Sequence, residues 1–171
     1  MSRQGNSTKN NLLLCAASGS SPTGTYTKLA ERNDIDTYKN LKVIKLDEWG
    51  GIPANHEGSC ETYLQSILVK PLNIREENYY SFQSEPSSPE EECNRIQQLI
   101  YQNGPIDACV LGLGMNGHIA FNEPSTYLQA HCHVAVLSEA SMNHPMAKNM
   151  KKDSVYGLSL GMAEHHEFQK E

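Results

Sequence analysis

Asp107-Ala108-Cys109-Val110-Leu111-Gly112-Leu113-Gly114-Met115-Asn116-Gly117-His118-Ile119-Ala120-Phe121-Asn122-Glu123-Pro124 is the stretch on which the fold turns. Its opening, Asp107 to about Leu113, is short and apolar, the pattern of a buried strand. Directly behind it, glycines, one imidazole, one carboxylate and two side-chain amides crowd into a loop. Open α/β sheets bind ligands in the crevice beyond the carboxyl ends of their strands. His118 and Glu123 stand five residues apart in that loop. An imidazole titrates near neutrality, and a nearby carboxylate fixes its tautomer and favours the imidazolium. The plainer alternative is a loop histidine bonded to its own backbone.

Outward from this stretch, strand and helix signals alternate. Asn11–Ala17 reads as a buried strand, followed by Ser18-Gly19-Ser20-Ser21-Pro22, with Ser21 as N-cap and Pro22 in the first helical position. Tyr26, Leu29 and Ala30 share one face of that helix. Lys42–Leu46 is the next strand and ends at Asp47-Glu48-Trp49-Gly50-Gly51. Ser59 caps a helix that turns Tyr63, Leu64, Ile67 and Leu68 inward and stops before Pro71. Tyr79–Phe82 is a weak strand. Ser88-Pro89-Glu90-Glu91-Glu92 starts a helix with acids favouring its dipole, and Gly104-Pro105 stops it. Beyond the loop, His133–Leu137 and Val155–Leu160 read as strands, with a helix near Glu139–Met150 between them. Short apolar strands alternating with helices imply a doubly wound, mainly parallel sheet with helices on both faces.

At 171 residues the chain is expected to be a single α/β domain, 1–171, with a flexible start over 1–10. A net charge of -6 argues against a nucleic-acid or anionic-membrane partner. No apolar run is long enough to span a bilayer. The five cysteines are odd in number and lack CxxC spacing, which favours reduced, buried thiols in a cytoplasmic protein. An apolar share of 38% is lean for a sheet covered on both faces, as if some of its most hydrophobic strands were missing. His131-Cys132-His133 puts two histidines on one strand face without a third ligand, so no metal is assigned.

Two further segments carry chemistry. The turn Ser18-Gly19-Ser20-Ser21 joins a strand to a helix start, where backbone N–H groups, hydroxyls and the helix dipole converge on an anion. It has neither the lysine of a P-loop nor a dinucleotide fingerprint, and a tight connecting loop is the alternative. Asp47-Glu48 closes a strand beside Trp49. Apolar cover there would lift a carboxylate toward a useful proton affinity, whereas a solvated acid pair is the bland reading.

Together these segments resemble the glucosamine-6-phosphate deaminase/isomerase family. The loop Gly112–Pro124 resembles its signature, Ser18–Tyr26 its phosphate loop and Leu46-Asp47-Glu48-Trp49 its strand-end acid pair. Lys45–Trp49, Cys60-Glu61-Thr62-Tyr63-Leu64 and Asn116 lean toward the galactosamine-6-phosphate branch. The resemblance implies a Rossmann-like fold and a reaction that needs no cofactor and no metal. Asp47 would match the base that moves a proton between C2 and C1 of the opened sugar. His118 would match the ring-opening acid/base, with Glu123 orienting it and Asn116 beside it. Ser18, Gly19, Ser20 and Ser21 would hold the 6-phosphate, with Glu48, Gly114, Gly117 and Lys148 completing the substrate contacts. The implied partner is a small amino sugar phosphate, and the family leaves room for a homo-oligomer.

The chain also departs from that family. Glucosamine-type members carry Asp where Asn116 stands, so His118 should be less basic here. Members continue past Met162 with further strands and a phosphate-contacting lysine, and begin with a helix absent before Asn11. The sequence is therefore expected to be incomplete at its C-terminal end, and less stable and less active than a complete homologue. Two rival functions follow: a 6-phosphogluconolactonase-like hydrolase, against which Phe121-Asn122-Glu123-Pro124 speaks, and a sugar-phosphate-binding remnant with impaired catalysis.

Overall fold

The carboxyl ends of three parallel strands meet over one crevice, and the sequence of each strand explains why. In the computed structural model, which describes residues 11–33, 35–143 and 155–163, the strands β1 (Leu13–Ala16), β2 (Lys42–Lys45) and β4 (Tyr79–Tyr80) follow one another outward from the centre of a sheet. On the other side of β1 lies β5 (Ala108–Val110), giving the order β4-β2-β1-β5 with every pairing parallel. Residue alternation divides the core. Leu13, Cys15, Ala17, Ile44 and Leu46 face helix α4 (Pro89–Asn103) through Cys93, Ile96 and Ile100. Ala16 and Val43 face the opposite layer, where helix α1 (Ser20–Glu31) brings Tyr26 and helix α3 (Cys60–Leu64, continued as a π turn over Gln65–Val69) brings Leu64 and Leu68. Helices thus cover both faces of a mainly parallel sheet, as the alternation of signals requires.

The capping signals at two helix starts are realised. The Ser59 hydroxyl accepts from the Thr62 amide, and the Ser88 hydroxyl from the Glu91 amide, with Pro89 and three acids in the first turn of α4. α1 differs from expectation. It begins at Ser20, not Pro22, and its N-cap is Gly19 with φ 103°, a left-handed conformation that suits glycine. Ser21 therefore caps nothing.

Two strand readings are corrected. Asp47–Gly50 is itself a strand, β3, rather than the loop that closes β2. It pairs antiparallel with β7 (Tyr156–Ser159), which also pairs antiparallel with β6 (His133–Ala135), forming a second sheet in the order β3-β7-β6. The Asp107–Leu113 run forms a strand only over Ala108–Val110, and it is not fully buried: β5 has β1 on one side and no strand on the other among the described residues. Of the helix expected over Glu139–Met150, Glu139–Met142 forms α5 and 144–150 lie outside the described residues, as do the start 1–10 and Lys148. A four-residue helix α2 (Ile35–Tyr38) precedes β2.

Candidate active site

A cavity of about 510 Å³ opens where β1, β2 and β5 end, within the range of small-molecule sites. The turn after β1 contributes Ser18, Gly19, Ser20 and Ser21, and β3 contributes Asp47 and Trp49. The loop after β5 contributes Gly114 and His118, while Ser141 of α5 closes one side. The acid, the imidazole and the serine-rich turn, up to 100 positions apart in the chain, therefore face one space.

His118 is held by its own loop. The Gly114 amide donates to the His118 carbonyl at 2.8 Å, and the Gly117 amide to the Gly114 carbonyl at 2.9 Å. The imidazole lies across Gly114 so closely that a Cβ there would come within 2.4 Å of ring atoms. Its Nδ1 is 3.5 Å from Glu123 Oε2, buried and without a closer partner. Asn122 fastens the loop to β7, its Nδ2 donating to the Leu160 carbonyl at 2.9 Å, and the Phe121 amide donates to Ser159 Oγ at 3.2 Å.

Glu123 sits behind His118 rather than in the cavity. Its Oε2 accepts from Asn116 Nδ2 at 2.9 Å, and its Oε1 accepts from the Ser138 amide at 3.2 Å and from the Ser141 hydroxyl. Burial alone would raise this carboxyl, but the bonds from Ser141, Asn116 and Ser138 outweigh it and hold it below the usual range. The imidazole thus faces a firmly ionised carboxylate. Asn116 touches that carboxylate, and its Oδ1 accepts from the His118 amide at 3.3 Å. Neither Asn116, Gly117 nor Glu123 lines the cavity.

Asp47 is strongly altered by its surroundings. Burial, then the neighbouring Glu48 charge, push its carboxyl from 3.8 up to about 7, against the Cys60 thiol and the Lys45 ammonium, which pull it down. A carboxylate of that affinity exchanges protons readily at neutral pH. Cys60, in the first turn of α3, completes the floor of the cavity; its Sγ is 3.7 Å from Asp47 Oδ1 and accepts from the Ser18 hydroxyl at 3.0 Å. Trp49 lines the same cavity and packs edge-on against Phe121, ring centres 4.7 Å apart.

The expected substrate contact of Glu48 is corrected. Glu48 points away from the cavity and is fully buried. It takes the Lys45 ammonium at 2.7 Å and accepts from the amides of Trp49, Cys60 and Glu61, each at 2.9 Å. Two adjacent strand residues face opposite ways, so Asp47 and Glu48 cannot share one crevice. The sequence reading missed Cys60 and Ser141. For Cys60 a signal existed, since the residue after a capping serine lies in the first turn of its helix, and that end of α3 faces the strand-end crevice.

The fold and cavity are those of the α/β class in which strand-end loops form the ligand crevice. The chain belongs to the family of glucosamine-6-phosphate isomerases/6-phosphogluconolactonase, whose model matches residues 2–148. A protein of Escherichia coli K12 named "Putative deaminase AgaI" is 41% identical over 157 residues, covering 90% of this chain and 62% of that protein. Glucosamine-6-phosphate deaminase 1 of Giardia intestinalis is 31% identical over 160 residues, covering 91% of this chain and 60% of its own length. The chain thus spans about three-fifths of the length of these two relatives. Among solved structures, a monomeric glucosamine-6-phosphate deaminase superposes with a TM-score of 0.83 at 28% identity, covering 92% of this chain and 67% of its own. A 6-phosphogluconolactonase of Thermotoga maritima superposes at 0.66 with 18% identity, over 90% of this chain and 64% of that one, a likeness of fold alone. No helix among the described residues is long and apolar enough to cross a membrane.

Proposed function

We propose that residues 1–171 form one α/β domain of an amino-sugar-6-phosphate deaminase/isomerase, which takes galactosamine 6-phosphate or glucosamine 6-phosphate to a ketose 6-phosphate and ammonia. The observation that carries this reading is the convergence of Asp47, His118 and the Ser18–Ser21 turn on one cavity. In it, the sugar's phosphate rests against the turn, where the N-terminal amides of α1 and the hydroxyls of Ser20 and Ser21 face an anion and Ser18 can turn its hydroxyl to it from Cys60. That anchoring supplies binding energy remote from the reacting carbons. His118, poised against ionised Glu123, relays a proton between O1 and O5 as the ring opens. Asp47 then moves a proton between C2 and C1. Hydrolysis of the resulting imine at C2 consumes one water and releases ammonia. Two separate proton carriers serve the two transfers. Gly114 keeps the imidazole close, Gly117 permits the turn that presents it, and Lys148 is retained as the phosphate cation on sequence grounds. Five cysteines outside any disulfide suit a cytoplasmic setting.

The test is to incubate the chain with galactosamine 6-phosphate, glucosamine 6-phosphate and 6-phosphogluconolactone in parallel. Ammonia release from either amino sugar supports the reading, and lactone hydrolysis without ammonia overturns it. Gly114→Ala offers a sharper check, because the atoms nearest the new methyl are those of the His118 ring. Misplacing a reacting group by about 1 Å costs on the order of 100-fold in turnover, so that loss is expected with the urea midpoint unchanged. Undiminished turnover would show that His118 has no catalytic part.

A further inference from the structure

Cys60 is a nucleophilic side chain on the cavity floor for which the proposed reaction has no use, and it touches two parts of the site at once. Its Sγ accepts from the Ser18 hydroxyl at 3.0 Å on the anion side and lies 3.7 Å from Asp47 Oδ1 on the base side. The Cys60 amide donates to buried Glu48 Oε1 at 2.9 Å, so its backbone is fixed, and its side chain has almost no contact with solvent. Burial, with the Glu48 and Asp47 charges, holds the thiol well above its usual range. It is therefore an S–H at neutral pH: a donor with one hydrogen, not a thiolate.

We propose that Cys60 is a positioning residue whose thiol ties the Ser18 turn to the Asp47 carboxylate, so that an anion arriving at the turn changes how that carboxylate is held. The inference rests on the functional reading above for its purpose, though not for its geometry. With the turn empty, the Ser18 O–H is spent on Cys60 Sγ, and the Cys60 S–H is turned toward Asp47. An anion at the turn draws the Ser18 O–H to itself. Ser18 Oγ then presents a lone pair to Cys60 and competes with Asp47 for the single S–H. Asp47 loses a donor and becomes a stronger base once the phosphate is seated. The other groups that sense Asp47 are Glu48 on its own strand, Lys45 on β2, Cys15 on β1 and Tyr26 on α1, with His118 lining the same cavity. Of these side chains, only Cys60 is also bonded to Ser18 in the structure.

The experiment follows Asp47 by NMR in the full chain labelled with carbon-13 aspartate, titrated with and without inorganic phosphate, with Asp47→Asn assigning the signal. Without phosphate, the Cys60→Ala variant is expected to titrate about half a pH unit above wild type, the size of one weak hydrogen bond to a charged group. Phosphate brings its own repulsion and raises the midpoint in every variant. The rise should be larger in wild type than in Cys60→Ala by about that same half unit, because only wild type also loses the thiol donor. Cys60→Ser, which keeps a donor and an acceptor, restores the wild-type pattern. A merely structural role for Cys60 would not move these midpoints in this order. Equal midpoints for wild type and Cys60→Ala, or equal phosphate effects in the two, would overturn the inference. Because the titration needs no turnover, an inactive chain with the Cys60-dependent shift would refute the deaminase reading while leaving the coupling intact.

Discussion

Asp47→Asn is expected to remove ammonia release from galactosamine 6-phosphate or glucosamine 6-phosphate while making the folded chain more stable at pH 8. The activity side follows from the base's task. An amide cannot accept the C2 proton, and loss of a positioned general base costs about 100- to 10,000-fold. Turnover of wild type should rise with pH through about 7, as the Asp47 carboxyl ionises. That limb should vanish from whatever rate the variant retains. A pH profile of kcat/KM on both proteins measures this, and an unchanged limb in the variant would assign the titration to another group.

The stability side has the opposite sign. Asp47 titrates near 3.8 in an open chain and near 7 when folded. Between those values the folded protein holds a proton that the unfolded one has released. The favourable contribution is therefore complete below 3.8, fades as pH rises, and is gone above 7. The whole displacement corresponds to an upper bound of about 4 kcal/mol; with water in the cavity screening the charge, about 1–2 kcal/mol is expected. Asparagine carries no charge, so the variant's urea midpoint should match wild type near pH 4 and exceed it increasingly toward pH 8. Coincident midpoints across the range would mean that the buried charge imposes no strain on the fold. A gain in stability bought at the loss of activity is characteristic of catalytic groups.

What the sequence disclosed follows from how local each signal is. The strands read over Asn11–Ala17 and Lys42–Leu46 rest on short clusters of apolar residues, and the serine caps at 59 and 88 act within three residues, so their elements were legible. β3 was not. Asp47-Glu48-Trp49-Gly50 has an acid pair and a glycine, a composition that disfavours strands, and it is a strand because β7, more than 100 residues further on, pairs with it. Tertiary pairing overrode local preference. The same blindness misplaced Glu48: adjacent acids look alike in sequence, whereas strand geometry sends Asp47 to the cavity and Glu48 into the protein. The signature loop was legible because its residues have no use in a core. A glycine beneath an imidazole and a carboxylate behind it make a poor core but a good proton relay.

The buried partner of Glu48 sets the second large effect. Lys45→Met is expected to cost about 3–5 kcal/mol of folding stability, or to prevent folding outright, because it strands two carboxylates. Lys45 is the last residue of β2, and its ammonium is fully buried. It donates to Glu48 Oε2 at 2.7 Å, to Glu61 Oε2 at 2.8 Å and to the Phe82 carbonyl at 3.1 Å. Burial alone would lower its proton affinity, but the two carboxylates outweigh that and hold it above the usual lysine range. Burial likewise would raise Glu61, and Lys45 foremost, helped by Gln65 and Tyr79, keeps it below its ordinary value. Without the cation Glu61 would take up a proton more readily when folded. The variant's deficit in urea melts should therefore be largest at pH 8 and shrink as pH falls toward 5. Adding Glu61→Gln, which neutralises one stranded acid, should recover part of the loss and reveal strong non-additivity. The consequence reaches the cavity, since Glu48 also accepts the amides of Cys60 and Glu61. A Glu48 released from Lys45 no longer fixes the first turn of α3, and with it the thiol beneath Asp47. Any folded fraction of Lys45→Met should accordingly lose turnover beyond its loss of stability, and full specific activity in that fraction would separate the charge network from the site.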